Sequence, residues 1–385
     1  MLIALKSPIM KSSRRQTGNS GSKPTPSRPL KSWSDRLILD CASQLSGPEV
    51  LTVLMHGTTL ATALREARKD LSFTFFTPEH FFSRTLHSFH DADASAGTRQ
   101  IHITCAADPP EQTYNCAVFP TLTGDSSEVA QEMFQTLHAR LQPGGKLFVS
   151  TNNLKGKWLE SQLKALYATV EIRKSAHGVL FIATRAQPIK KTRGFRARFS
   201  IRHQDQVLTC ESRPGVFSHR KLDGGARALI RSLLLLTDPA AVTGPAPRKI
   251  VEMGAGCGAV SIAAATSFPD AELLAVDSDA RAVQCTAQTA ALNGNTRIKT
   301  LLTSEGAVPE PGTWDLLLGN PPYYSDFRIA ELFLQTAKKS LRPGGRIHIV
   351  TKPVEWQEAR MKQLFNNVQA HKLGEYTVFT AVQKG

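Results

Sequence analysis

The sequence predicts an α/β protein built from two tandem copies of one doubly wound, Rossmann-like domain, and two observations carry that prediction. From about Trp33 onward, helical and strand-like segments alternate, as in a parallel sheet with helical crossovers. In addition, Leu141-Gln-Pro-Gly-Gly-Lys-Leu-Phe-Val-Ser-Thr151 recurs 200 residues later as Leu341-Arg-Pro-Gly-Gly-Arg-Ile-His-Ile-Val-Thr351. A helical stretch precedes each copy, and before that lies a short apolar strand, at 114–119 and 314–318, again 200 apart. A shared Pro-Gly-Gly turn alone says little. Matched spacing to a strand and a helix marks a duplication. The expected layout is a disordered basic tail over 1–32, a first domain over 33–186, a basic linker over 187–212 and a second domain over 213–385.

At 385 residues, with 41% hydrophobic and 21% charged, the chain has ordinary globular composition, which excludes wholesale disorder and fibrous repeats. Lys and Arg outnumber Asp and Glu by 47 to 32, a formal charge of +15 that favours a polyanionic partner. The six cysteines are scattered with no CxxC pair, so neither a zinc ribbon nor a secreted disulfide framework is indicated, and a reducing compartment, the cytoplasm, is expected. No window approaches the ~20 apolar residues of a membrane helix. His80, His87 and His90 fall close together, but without an acidic or Cys partner they do not make a metal site, and no metal is expected.

The tail over 1–31 carries seven basic residues and no acidic ones, among many Ser and Pro. That composition fits a flexible arm on nucleic-acid phosphates, an organelle-targeting segment or a plain solvated tail. A second basic run, 185–202, also has seven basic and no acidic residues. It reads as a solvated linker or, lying between two domains, as a phosphate-facing strip.

The chemistry concentrates in the second half. Arg248-Lys-Ile-Val-Glu-Met-Gly-Ala-Gly-Cys-Gly258 is a short apolar strand running into a G-x-G-x-G turn, followed by a small-residue helix. Gly254, Gly256 and Gly258, with Ala255 between, let the backbone turn tightly and approach a ligand. About twenty residues on, the strand 272–277 ends in Asp277, placed to accept hydrogen bonds from ribose hydroxyls. Asp277 could instead cap the helix that starts near Asp279. No Gly-Lys-Ser/Thr phosphate cradle follows, which leans away from a P-loop. Cys257 within the turn reads as a space-filling side chain, because no paired His follows.

A further strand, 314–319, ends in Asn320-Pro321-Pro322-Tyr323. Successive prolines stiffen the turn and remove two backbone donors, so it presents carbonyl acceptors beside the Asn320 oxygen and the flat face of Tyr323. This suits a planar group bearing an NH2. Hydrogen bonds from its two protons to Asn320 and to the Pro321 carbonyl would aim the nitrogen lone pair at an electrophile and offset developing charge.

With these motifs the second half resembles the class I S-adenosylmethionine-dependent methyltransferases, in the subgroup whose Asn-Pro-Pro-Tyr/Phe tetrad methylates amino nitrogens. Over roughly Trp33 to Val382 the architecture resembles the tandem-domain bacterial ribosomal RNA guanine-N2 methyltransferases, of the small-subunit 16S type, with the segment Arg213-Pro-Gly-Val-Phe-Ser-His-Arg-Lys-Leu-Asp-Gly-Gly-Ala-Arg-Ala228 similar to that family's entry segment. The resemblance implies a doubly wound seven-stranded sheet, a degenerate N-terminal copy, and S-adenosyl-L-methionine held by Glu252, Gly254, Ala255, Gly256, Gly258, Asp277, Ser304 and Asn320. It makes Asn320, Pro321, Pro322 and Tyr323 catalytic, with Phe217, Tyr323 and Tyr324 stacking on a flipped base. Tyr324-Ser-Asp326 departs from the His-Asp-Gly-like run of bacterial relatives.

The first copy supports its non-catalytic role. Pro120-Thr-Leu-Thr123 stands where the tetrad would fall, and Gly57 is the only glycine in the 51–59 region. The expectation is methylation of the N2 amine of a guanine in ribosomal RNA, free or within a ribosomal subunit, by a monomer. The alternatives are a protein glutamine N-methyltransferase and a non-catalytic RNA-binding assembly factor.

Overall fold

The computed structural model describes residues 30, 32–92, 100–237, 244–322 and 326–385. The expected basic tail lies outside them apart from Leu30, whose carbonyl accepts from Arg36, and Ser32, which caps the first helix. In the first domain the strands are β1 (Glu49–Val53), β2 (Ser72–Thr77), β3 (Ile101–Cys105), β4 (Tyr114–Thr121), β5 (Leu141–Thr151), β6 (Thr169–Ser175) and β7 (Gly178–Thr184). Its helices are α1 (Trp33–Asp40), α2 (Thr59–Ala67), α3 (His80–Ala92), α4 (Ser127–Arg140) and α5 (Lys157–Leu166). A hairpin, β8 (Ala197–His203) and β9 (Gln206–Ser212), leads through α6 (Gly224–Ser232) and α7 (Leu234–Thr237) into the second domain. There the strands are β10 (Lys249–Met253), β11 (Glu272–Asp277), β12 (Ile298–Leu302), β13 (Trp314–Gly319), β14 (Leu341–Thr351), β15 (Asn366–Leu373) and β16 (Tyr376–Val382). The helices α8 (Ala259–Ser267), α9 (Ala280–Leu292), α10 (Arg328–Ser340) and α11 (Val354–Leu364) cover this second sheet.

Both sheets have seven strands in the same order, β3-β2-β1-β4-β5-β7-β6 and β12-β11-β10-β13-β14-β16-β15. Five strands in each are parallel, and the last two are an antiparallel edge. The duplication extends to an irregularity. Tyr114 pairs with Leu141 and Cys116 with Lys146; Trp314 pairs with Leu341 and Leu316 with Arg346. The Pro-Gly-Gly residues are therefore surplus to the ladder in both copies.

Helices cover both faces of each sheet, which is why the central strands read as unbroken apolar runs. In the second domain, Ile250, Leu316 and Val350 pack with Leu229, Val260 and Ala264 on one face. On the other face Val251, Leu317 and Ile347 pack with Phe333, Leu334 and Met361. The first domain has its own two apolar layers, so the domains are joined by polar contacts rather than a shared core.

That junction is pseudo-symmetric. His80 N–H donates to the Ser278 carbonyl at 2.8 Å, and Ala280 N–H donates to the Pro78 carbonyl at 2.9 Å, so equivalent turns of the two copies exchange hydrogen bonds. Around it Arg213 grips Asp108 through two bonds of 3.0 and 2.6 Å and reaches Glu132 at 3.1 Å. Arg281 also reaches Glu132, at 3.2 Å.

The expected linker needs correction. Residues 197–212 are a β-hairpin docked on the second domain, with Ile201, Leu208 and Cys210 in its apolar core and Thr209 exchanging hydrogen bonds with Asn293. Alternation of Phe199 and Ile201 with Arg198, Ser200 and Arg202 drives this, because one face of the strand is apolar despite the charge. The phosphate-facing strip shrinks accordingly. Arg196 and Arg198 both pair with Glu211, and Arg185 binds the Leu141 carbonyl.

Candidate active site

The glycine turn follows β10 at the carboxyl edge of the sheet, the end where open α/β sheets bind ligands. Gly254, Gly256 and Gly258 have φ of 73°, 57° and 77°, a region unfavourable to side chains. A β-carbon at residue 258 would press on Thr286 at 3.0 Å, whereas one at residue 256 would meet nothing within 4 Å. The turn thus packs against α9 on one side and opens to free space on the other. Asp277 closes that space. Its carboxylate accepts from Gly256 N–H at 2.9 Å and from Asp279 N–H at 3.0 Å. Capping of α9 falls to Asp279, which accepts from the backbone of Arg281 and Ala282, so Asp277 is left to the turn. Burial raises the Asp277 carboxyl above the usual range, opposed by the backbone donors of Asp279, Gly256 and Ser278. A small open cradle beside a fixed carboxylate fits a nucleoside-bearing cofactor.

Glu252 and Ser304 are placed differently from the glycines. Glu252 is buried against α8, where its carboxyl accepts from the Ser261 hydroxyl. Burial pushes its pKa up to about 8, so it is largely protonated at neutral pH. The Ser304 hydroxyl is bonded to Nδ1 of His80 at 3.0 Å, and its N–H donates to the same nitrogen at 3.1 Å. His80 thus belongs to a contact between the domains that reaches the loop after β12. Glu79, beside it, accepts from the Ser278 hydroxyl at 3.2 Å. Among the described residues no group of three or more His, Cys, Asp or Glu could hold a metal ion. Cys257 is buried in the apolar cluster with Cys210.

Asn320 lies immediately beyond β13, and Met253 pairs with Gly319 across β10 and β13. The glycine turn and the proline corner are therefore neighbours at one sheet edge. Asn320 Nδ2 donates to Asp223 Oδ2 at 3.1 Å, and the same oxygen caps α6 by accepting from Gly225 N–H at 2.8 Å and Ala226 N–H at 3.1 Å. With its NH2 tied down, the Asn320 amide has its carbonyl oxygen available as an acceptor. Asp223 lies in the lead-in segment 213–228, and its side-chain bond to Asn320 spans 97 positions, so only the fold reveals it. Pro321 and Pro322 follow Asn320 in the corner, the first buried and the second half-buried. Phe217 is 69% exposed in that segment and free to stack. Tyr323 and Tyr324 lie outside the described residues.

The matching edge of the first domain is built from different residues. His56, 200 residues before Gly256, pairs with Asp125 at 2.9 Å, and Asp125 also accepts from Leu122 N–H at 2.7 Å. Thr77 replaces the carboxylate of Asp277, and Pro120, within β4, replaces Asn320. Among the described residues, neither a three-glycine turn with a carboxylate nor an Asn-Pro-Pro corner is present there.

Residues 207–380 match the family model described as methyltransferase small domain. The chain is 29% identical over 250 residues to the ribosomal RNA small subunit methyltransferase C of Pseudomonas entomophila, covering 63% of this chain and 70% of that protein. The protein of the same name from Pseudomonas aeruginosa is 30% identical over 232 residues, or 58% and 66% of the two chains. Among solved structures, the T. thermophilus 16S rRNA N2 methyltransferase RsmC, in complex with AdoMet and guanosine, superposes with a TM-score of 0.71 at 21% identity. That superposition spans 90% of this chain and 92% of the other, so the likeness in fold covers both domains. The chain thus has the two-domain class I methyltransferase fold, its second half matches the methyltransferase small domain, and it is similar to the small subunit methyltransferase C proteins.

Proposed function

We propose that the chain methylates the exocyclic N2 amine of a guanine in ribosomal RNA of the small subunit, using S-adenosyl-L-methionine, in the cytoplasm. The observation that carries this reading is the adjacency of the open glycine turn and Asn320 on paired strands, with Asp223 leaving the Asn320 oxygen as acceptor. The names of the relatives support the same substrate.

Gly254, Ala255, Gly256, Gly258 and Asp277 would hold the cofactor, with Glu252 and Ser304 supporting the cradle from beneath and from the loop after β12. The cofactor supplies an electrophilic methyl group when bound. The chain's own part is orientation. A guanine amine is a poor nucleophile because its lone pair is delocalised into the ring. Asn320 Oδ1 and the Pro321 carbonyl accept its two N–H groups, hold the lone pair toward the methyl group and offset the charge that develops on nitrogen. Pro322 stiffens the corner, and Phe217, Tyr323 and Tyr324 supply flat faces for a base drawn out of its stack. No covalent intermediate on the chain is needed.

Asn320→Ala tests the assignment. Methyl transfer to ribosomal RNA should be nearly abolished while cofactor binding, measured by calorimetry, is retained. Loss of cofactor affinity instead would make Asn320 structural. Nucleoside mass spectrometry of ribosomal RNA from cells with and without the gene should show N2-methylguanosine only in the former, and an unchanged level would refute the substrate.

A further inference from the structure

A groove of 620 Å³ opens between α6 and the β8–β9 hairpin, apart from the glycine turn and Asp277. Arg202, Lys221, Arg227 and Arg231 stand along it, all exposed, over a floor that includes Phe199 and Ile201. Among the described residues no carboxylate lines it. Arg227, Arg231 and Leu234 follow one another at helical spacing, so one face of α6 and its continuation form a wall about 10 Å long at ~1.5 Å per residue. At the other end, Leu222 lines the groove, and the next residue, Asp223, holds Asn320. One end of the groove therefore lies a residue away from the side chain that holds Asn320.

Most other cations of this region are spent within the protein: Arg196 and Arg198 on Glu211, Arg220 on Glu128 and Arg213 on Asp108. Four uncommitted cations over a partly apolar, aromatic floor are the combination that tracks single-stranded nucleic acid, with phosphates on the rim and a base or sugar against the floor. We propose that this groove binds the RNA strand flanking the target nucleotide, its phosphates meeting Arg202, Lys221, Arg227 and Arg231. The assignment rests on the RNA-methylation reading above. It places a substrate-docking surface on the catalytic domain itself, formed partly by the hairpin.

The test is the salt dependence of RNA binding, measured by fluorescence anisotropy with a short guanine-containing single-stranded RNA and the full chain. Each phosphate contact on a single strand contributes about 0.7 to the slope of log affinity against log salt. Replacing Arg227 and Arg231 together by alanine should reduce the slope by about 1.4, at ~0.7 for each lost contact. Arg202→Ala, on the opposite wall, should reduce it by about half as much. Replacing Lys338 and Lys339 by alanine removes the same charge from α10, which packs on the other face of the sheet, and should leave the slope unchanged. Cofactor affinity should be the same in all four proteins. Salt-dependent RNA binding by the parent, with slopes equal in the groove variants and the α10 control, would overturn the groove and leave the methylation reading intact. A parent that binds the cofactor but neither binds nor methylates RNA would overturn that reading and the groove with it.

Discussion

Gly225 lies directly against Asn320: a β-carbon at residue 225 would sit 2.7 Å from Oδ1 of Asn320 and 2.9 Å from the Asp223 carboxylate. The absence of a side chain in the first turn of α6 is thus a condition for the placement of the Asn320 amide.

Gly225→Ala separates this steric role from helix propensity. Alanine favours a helix over glycine by about 1 kcal/mol, so propensity alone predicts a stabler protein. Crowding predicts a displaced amide, and misplacement of a reacting group by ~1 Å costs on the order of 100-fold in rate. The expected variant is folded, binds S-adenosylmethionine like the parent and has kcat lowered by about 10- to 100-fold. Single-turnover kinetics beside a cofactor titration measure both quantities, and an unaltered kcat would show that Asn320 needs no such clearance.

Asp223 couples the same helix to the same amide. Asp223→Ala removes the cap of α6, worth about 1 kcal/mol, and also releases Asn320. Asp223→Asn keeps an acceptor for both. Alanine is expected to lower methyl transfer strongly and asparagine mildly. In an Asn320→Ala background, Asp223→Ala should lower the rate no further, because the two act as one unit. Additive losses in that double-mutant cycle would separate their roles.

The legible part of this molecule was whatever obeys local rules. Repeats at a fixed offset gave two copies of one domain, and apolar runs ending in glycines or in Asp277 gave β10, β11 and the cradle between them. The hairpin escaped because its charge density masked a period of two: Phe199 and Ile201 point inward among four arginines between residues 193 and 202. Asp223, Gly225 and His80 escaped for a different reason. Each acts on a residue far along the chain, and such partners are set by the closure of the sheets and by docking of one domain on the other. Even so, the Leu222-Asp223-Gly224-Gly225 run carries a local signature, since an aspartate before two glycines at a helix start marks a cap with something lying close against it.

The cofactor cradle should respond to Asp277. Two hydrogen bonds from ribose hydroxyls to a carboxylate are worth about 1.5–3 kcal/mol each, so Asp277→Ala should weaken S-adenosylmethionine binding by at least 10-fold, about 1.4 kcal/mol. Because burial holds this carboxyl above its usual range, protonation begins at a higher pH than for an exposed aspartate. The affinity of the parent should fall as the solution is acidified, and that of the alanine variant should not follow it. An affinity independent of both substitution and pH would remove Asp277 from the site.

Glu79 provides a pH-dependent stability signal at the junction. Burial first, then the carboxylates of Asp279 and Asp277, push its pKa up to about 7 from 4.5. The folded chain therefore binds this proton more tightly than the unfolded chain. The associated stability is complete below pH 4.5 and is lost as pH rises through about 7. Glu79→Gln keeps an acceptor for Ser278 and removes the charge. The variant should be more stable than the parent above pH 7, by on the order of 1 kcal/mol once partial exposure is allowed for. The difference should shrink toward pH 5, and urea denaturation at pH 5 and pH 8 measures it. An equal change at both values would place the effect in packing.

Glu132 should be the costlier of the two acids that face the interdomain arginines. Its carboxylate contacts both Arg213 and Arg281, whose side chains are 2% and 1% exposed, and it is itself 13% exposed. Asp108 ion-pairs, among the described residues, with Arg213 and is 38% exposed. Removing Glu132 leaves two adjacent buried guanidinium groups, with Asp108 paired to one and only the Ala107 and Pro214 carbonyls on the other. Breaking a buried pair from one side costs about 3–5 kcal/mol, because the remaining charge keeps its desolvation penalty. Glu132→Ala is expected near that range and Asp108→Ala well below it, since water can reach the vacated side of Arg213. As each domain has its own apolar core, the loss should appear in calorimetry as one cooperative transition resolving into two. Equal destabilisation by the two substitutions would mean that Asp108, rather than the shared Glu132, is the anchor of the junction.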